Sequence, residues 1–200
     1  HIFKVARTIT DIGIERIILR LIFEIKKYIN SIIPSKILKL FILLDNKTPK
    51  WIALSQYKHI KIDSQSQIIS NKKIIIFNFF NKKKSLSIPI NWQSDTWPTL
   101  WTFNLHYFDW AKEWSEDFLK NKKTKEDIFL IKELIDQWIH KNKLGKGIGW
   151  NSYTTSLRIK NWVFIFRVFP SLINQKRLDS LWLQICWLNI HKEFCYGGNH

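Results

Sequence analysis

Apolar positions recur at helical spacing at both ends of the chain, with short β-branched runs between them. In residues 8–30, Ile9, Ile12, Ile17, Leu21, Ile25 and Tyr28 alternate with Arg16, Arg20, Lys26 and Lys27, which predicts a basic amphipathic helix. Its simplest role is packing, with docking on a membrane surface or a partner as the alternative. Pro34 and the cluster Asp45-Asn46-Lys47-Thr48-Pro49 interrupt the pattern on either side of a second short apolar segment. From Trp51 to about Asp95 the runs Ile60–Ile62, Ile68–Ile69, Ile74–Phe77 and Leu86–Ile90 predict short strands. Asn81-Lys82-Lys83-Lys84 reads as a turn between two of them, its cations also discouraging edge pairing.

After Pro98 the pattern is helical and rich in Trp, with helices expected over about 103–120, 125–142, 152–168 and 175–195. The second shows the stripe most clearly, in Ile128, Ile131, Leu134, Ile135, Trp138 and Ile139. Thr124 before Lys125-Glu126-Asp127 has the form of an N-cap with first-turn carboxylates, and Lys141, Lys143 and Gly145 that of a C-terminal stop. Short connections between such helices imply antiparallel hairpins stacked on one another. The expected organisation is mainly α: a helical extension over 1–50, strands and loops over 51–97, and a helical region over 98–200.

Composition adds two constraints. A 46% apolar and 15% aromatic content belongs to a folded chain, because disordered ones lack the aromatic and branched residues that offset ordering entropy. The 32 Lys and Arg against 16 Asp and Glu leave a net charge of +16, which favours polyanions without choosing among nucleic acid, anionic membrane and acidic polysaccharide. Cys186 and Cys195 lack metal or redox spacing and read as small buried fillers. No apolar run is long enough to span a bilayer. The chain opens at His1, contains no Met and stops at His200, so it reads as an internal piece of a longer protein.

Three segments place polar groups beside aromatics. In Leu100–Trp110, Asn104, His106 and Tyr107 are candidate ligand contacts, or else buried polar tips with local partners. In Gly145–Trp162 the glycines fit no phosphate-loop spacing and read as a flexible loop that delivers Trp150, Asn151 and Tyr153 to the mouth of a cleft. Arg158 follows on a helix, where its planar fork suits a carboxylate or sulfate; the alternative is that it braces the loop carbonyls. In His191–His200, the spacing of His191, Glu193 and His200 does not match a helical metal site, so no metal or cofactor is expected. Asn199 and His200, beyond Gly197-Gly198, suit a binding or proton-transfer position.

Taken in order, Pro89-Ile90-Asn91-Trp92, Leu100–Trp110, Trp150–Trp162 and Gly198-Asn199-His200 resemble the N-terminal domain of the heparinase II/III-like family of bacterial polysaccharide lyases. The stretches FNLHYFDW and YTTSLRIKNW are the most specific, and residues 70–200 carry the likeness. The resemblance implies an incomplete α/α toroid of helical hairpins, followed in the full protein by a β-sandwich domain. It implies cleavage of a uronate-containing acidic polysaccharide by β-elimination, with Asn199 neutralising the carboxylate and His200 assisting as neutraliser or base. A tyrosine, and often another histidine, would come from downstream. The relatives suggest a periplasmic or secreted setting, although no signal peptide is visible. The other readings are a non-catalytic acidic-polysaccharide-binding protein of surface-polysaccharide assembly and, less favoured, a basic protein on nucleic acid or a membrane surface; no nucleic-acid recognition motif is present.

Overall fold

The computed structural model describes residues 14–43, 49–50, 70–71, 74–120 and 124–191. The chain is mainly helical, with a small sheet. The expected strands Ile60–Ile62 and Ile68–Ile69, and Asn199 and His200, lie outside the described residues.

Helix α1 (Ile14–Ile32) and the short α2 (Ser35–Leu43) are separated at Pro34, as the sequence predicts. The sheet is antiparallel: β1 (Ser70–Asn71) pairs with β2 (Ile74–Phe79), which pairs with β3 (Lys82–Ser87). The turn is not where the lysine run suggested. Phe79 faces Lys82 in register, so Phe80 and Asn81 alone make the turn, with φ of 53° and 59°. Two left-handed residues match the right-handed twist of the flanking strands. The lysines Lys82, Lys83 and Lys84 therefore belong to β3, while Ile75, Phe77 and Leu86 turn into the core.

The expected helix over 103–120 is two helices, α3 (Thr99–Tyr107) and α4 (Asp109–Leu119), broken at Phe108. Phe108 sits at φ 63°, a costly conformation for a bulky residue. Its compensation is burial: the ring stacks on Trp92 at 5.6 Å between centroids and meets the edge of Trp162 at 5.4 Å. α5 (Lys125–Lys141) starts and stops where the sequence places it. The Thr124 N–H donates to Asp127 Oδ2 at 2.8 Å, satisfying a donor that the first turn leaves open.

A 3-10 turn at Ile148–Trp150 leads into α6 (Ser152–Val168), capped by Asn151, whose Oδ1 accepts from the Tyr153 N–H at 3.0 Å. A second 3-10 turn (Pro170–Leu172) leads to α7 (Gln175–Ile190), capped by Asn174. The described part of this last helix ends at Ile190, short of the expected 195. Helix α6 packs on α3, α4 and α7, and α7 in turn on α2 and α5. Trp101, Trp110, Trp114, Trp138 and Trp162 are fully buried between these elements, and Trp92, Trp150 and Trp187 are buried as well, so most of the tryptophan content is core.

Candidate functional site

The polar stripe of α6 runs Thr154, Arg158, Asn161, a spacing of four and three that keeps these side chains on one face. That face is buried. The Arg158 guanidinium donates from Nε to Gln184 Oε1 at 2.7 Å and from Nη1 to the carbonyl oxygens of Gly149 at 2.7 Å and His106 at 3.4 Å. Its carbon lies 3.8 Å from the Trp138 ring centroid. Burial pulls its pKa well below the ordinary value, and the partners its guanidinium bonds among the described residues are neutral. Carbonyl dipoles and the negative face of an indole hold the charge instead. With its fork spent on the protein, Arg158 has the bracing role rather than the ligand-binding one.

His106 is equally committed. Its Nδ1 accepts from Trp138 Nε1–H at 2.9 Å, which fixes the tautomer, so Nε2–H donates to the Trp92 carbonyl at 2.9 Å. Burial, reinforced by the Arg158 charge, lowers its pKa from 6.5 to about 3. It is a neutral core histidine, with no nitrogen left for a substrate. The glycines before Trp150 serve this packing and not a flexible loop. A Cβ at Gly149 would stand 2.8 Å from His106 Nδ1, and Gly147 at φ 72° lies against the Gln93 side chain. Trp150 itself is buried, donating to the Asn142 carbonyl at 3.3 Å.

What remains accessible is the surface at the start of α6. Tyr153 is 60% exposed and meets the edge of Tyr107 at 5.8 Å, and Tyr107 stacks on Phe103. Asn151, exposed, adjoins Tyr153 as the cap. Tyr107 has its phenol pKa raised by burial, then by Tyr153 and Asp109, so the hydroxyl keeps its proton at neutral pH. It can donate a hydrogen bond and is a poor base. Ser152 Oγ donates to the His191 carbonyl at 2.6 Å, tying the end of α7 to this surface.

Asn104 points elsewhere. Its amide donates to the Leu100 carbonyl at 2.9 Å, and it lines a separate pocket of about 400 Å³ between the β2–β3 turn, α4 and α6. That pocket brings together Asp109, Glu113, Glu116 and Lys160, with Lys112 paired to Glu116 at 3.2 Å. No sequence motif marks this pocket, because its groups come from four separate segments. Asn161 is a further polar residue outside the predicted set: its Nδ2 donates to the Tyr107 carbonyl and to Asp109 Oδ1, both at 2.8 Å. The helical interval from Thr154 and Arg158 was the available signal.

Among the described residues no group of three or more His, Cys, Asp or Glu side chains is placed to hold a metal ion, and no helix is long and apolar enough to cross a membrane. In comparisons with known proteins, no family model matches the chain, and no curated protein or solved structure matches it.

Proposed function

We propose that this chain is the N-terminal helical part of a polysaccharide lyase, similar to the heparinase II/III-like family, acting on a uronate-containing acidic glycan. In this reading the helices form the first part of an incomplete α/α toroid, and a β-sandwich domain follows them. The observation that carries it is the union of the two most specific stretches of the resemblance. FNLHYFDW and YTTSLRIKNW are bonded to one another through Arg158 to the His106 carbonyl and through Asn161 to the Tyr107 carbonyl and Asp109. Their exposed remainder, Asn151 and Tyr153, flanks Ser152, whose Oγ donates to the carbonyl of His191, eight residues before Asn199 in sequence.

The chemistry follows from the acidity problem. The proton beside a uronate carboxylate leaves only if the charge developing there is stabilised, so a neutralising donor must meet the carboxylate. The Asn199 amide would supply that donor, and His200 would assist as neutraliser or base. Tyr153 would offer a ring face to the sugar, with Tyr107 packed behind it, and the +16 charge would draw in the polyanion. The test extends the chain past His200, incubates it with a panel of acidic polysaccharides and follows the ultraviolet absorbance of the unsaturated product. Product is expected from at least one uronate polymer, with loss on Asn199→Ala or His200→Ala. Folded protein that yields none from any glycan would refute the lyase reading.

A second reading, a non-catalytic acidic-polysaccharide-binding protein, draws on one observation: His106 and Arg158 are both used up in the core. It predicts glycan binding by calorimetry with no unsaturated product.

A further inference from the structure

Helix α1 is mounted inside out. Its polar residue Asn30 is tied to the body, with its amide on His191 Nε2 and its carbonyl accepting from Lys146 Nζ at 3.0 Å. Its apolar stripe is turned to solvent. In heptad register Ile18, Ile25 and Ile32 hold position a, with Leu21 and Tyr28 at d. Ile22 and Ile29 at e widen the stripe. α2 continues the surface: Leu38 and Ile42 are buried, while Ile37, Leu40 and Phe41 face outward. These ten side chains are each 44% to 68% exposed.

The area decides that this face is not an ordinary surface feature. The largest apolar patch on a typical monomer is about 300–600 Å². Ten large side chains, each roughly half exposed, reach on the order of the ~800 Å² that each partner contributes to a stable interface. The charge pattern then selects the partner. The described cation of this stretch, Lys26, holds position b, outside the a/d seam and close enough to His191 of the body to act on it electrostatically. A helix lying in a lipid surface keeps its cations at the polar–apolar boundary, where they reach the headgroups. From residue 18 to 32, Glu24 is the one charged residue at a, d, e or g, so two copies meet with little charge opposed despite a net +16 each. Ile at every a position with Leu21 at d follows the pattern that favours two strands, and Tyr28 at the second d departs from it.

We infer that the α1–α2 face is a symmetric homodimer interface, in which a second copy of this chain covers the stripe. The inference is independent of the lyase reading. Sedimentation equilibrium over about 1–100 μM tests it on the full chain. A dimer is expected, with a melting temperature that rises with protein concentration, as subunit linkage requires. The double substitution Ile25→Asp with Phe41→Asp should weaken self-association about a hundredfold, as for charge placed in a desolvated interface centre. Phe129→Asp, at an exposed apolar residue on α5, should leave the dimer intact, and circular dichroism checks that each variant folds. A wild-type monomer across the range, with a concentration-independent melting temperature, would overturn the inference. So would a dimer indifferent to the α1–α2 substitutions, or a monomer that binds vesicles of anionic phospholipid through this face.

Discussion

Acidification titrates one identifiable group in the core. Unfolded, His106 takes a proton near pH 6.5; folded, it resists until about pH 3, because the ring is buried beside the Arg158 charge and its Nδ1 lone pair is occupied by Trp138. Between those values the unfolded chain binds a proton that the folded chain does not. Stability from this group is therefore complete above pH 6.5 and is lost as pH falls toward 3. Each unit costs about 1.4 kcal/mol, so at about pH 4.5 the loss is roughly 2.7 kcal/mol. That is a large share of the ~5–15 kcal/mol that holds a domain together. Urea titrations at pH 7.5, 6 and 4.5, followed by tryptophan fluorescence, measure the difference. His106→Gln removes the titration and supplies both an acceptor and a donor. It should be less stable than wild type at pH 7.5, but its loss on acidification should be smaller by about 2–3 kcal/mol. Every other ionisable group is common to the two proteins, so its contribution drops out of the difference. Parallel pH profiles for the two would show that His106 is not held neutral in the core.

Three further outcomes follow from the same packing. Gly149→Ala drives a Cβ to within 2.8 Å of the His106 ring and should cost about 1–3 kcal/mol in urea unfolding; an unchanged midpoint would mean that the turn has room to spare. Arg158→Met leaves the Gly149 carbonyl and Gln184 Oε1 without their donor and should cost about 2–4 kcal/mol. If that variant folded as well as wild type yet lost affinity for acidic glycans, the bracing assignment would be wrong. Asp136→Asn breaks a two-point contact to Arg177, which is buried and also donates to the Leu172 carbonyl at 2.6 Å. It should cost about 1–3 kcal/mol, nearly independent of salt because the arginine is screened from solvent.

The elements that periodicity and caps mark were legible. α5 and α6 begin and end within a residue of their expected bounds, because Thr124 and Asn151 are side-chain acceptors or partners at the first turn and the stripes are continuous. The break at Phe108 was not, since no glycine or asparagine announces the left-handed residue; tertiary stacking pays for it. The hairpin turn was displaced because lysines read as loop, while strand pairing follows Ile75, Phe77 and Leu86 on the opposite face. Among candidate site residues, sequence identified polar groups worth locating but not which way they point. The residues His106, Trp150 and Arg158 are interior, whereas Asn151 and Tyr153 are exposed. The helical interval from Arg158 to Asn161, Trp162 and Ile165 carried that information, because a residue sharing a face with a buried Trp is itself buried.

That polar interior bears on what the resemblance can mean. A buried guanidinium is costly to desolvate, and among the described residues Arg158 is held by carbonyls from α3 and the turn before Trp150, an amide from α7 and an indole from α5. Removing any one leaves the others unsatisfied, so selection for folding alone would retain His106, Gly149, Trp138 and Arg158 together. His106, Gly149 and Arg158 fall inside or beside the stretches that carry the proposed resemblance, and Trp138 lies outside them. A chain that had lost all chemistry would keep them, so under the proposed reading they bear on the folding of the helices and not on the reaction. Discrimination between cleavage and binding must come from the proposed catalytic pair, Asn199 and His200, with exposed Tyr153 as a lesser witness. Conservative variants at Asn199 and His200 that abolish product while leaving the urea midpoint and glycan affinity unchanged would assign catalysis. Equal loss of binding and product would assign them to substrate binding instead.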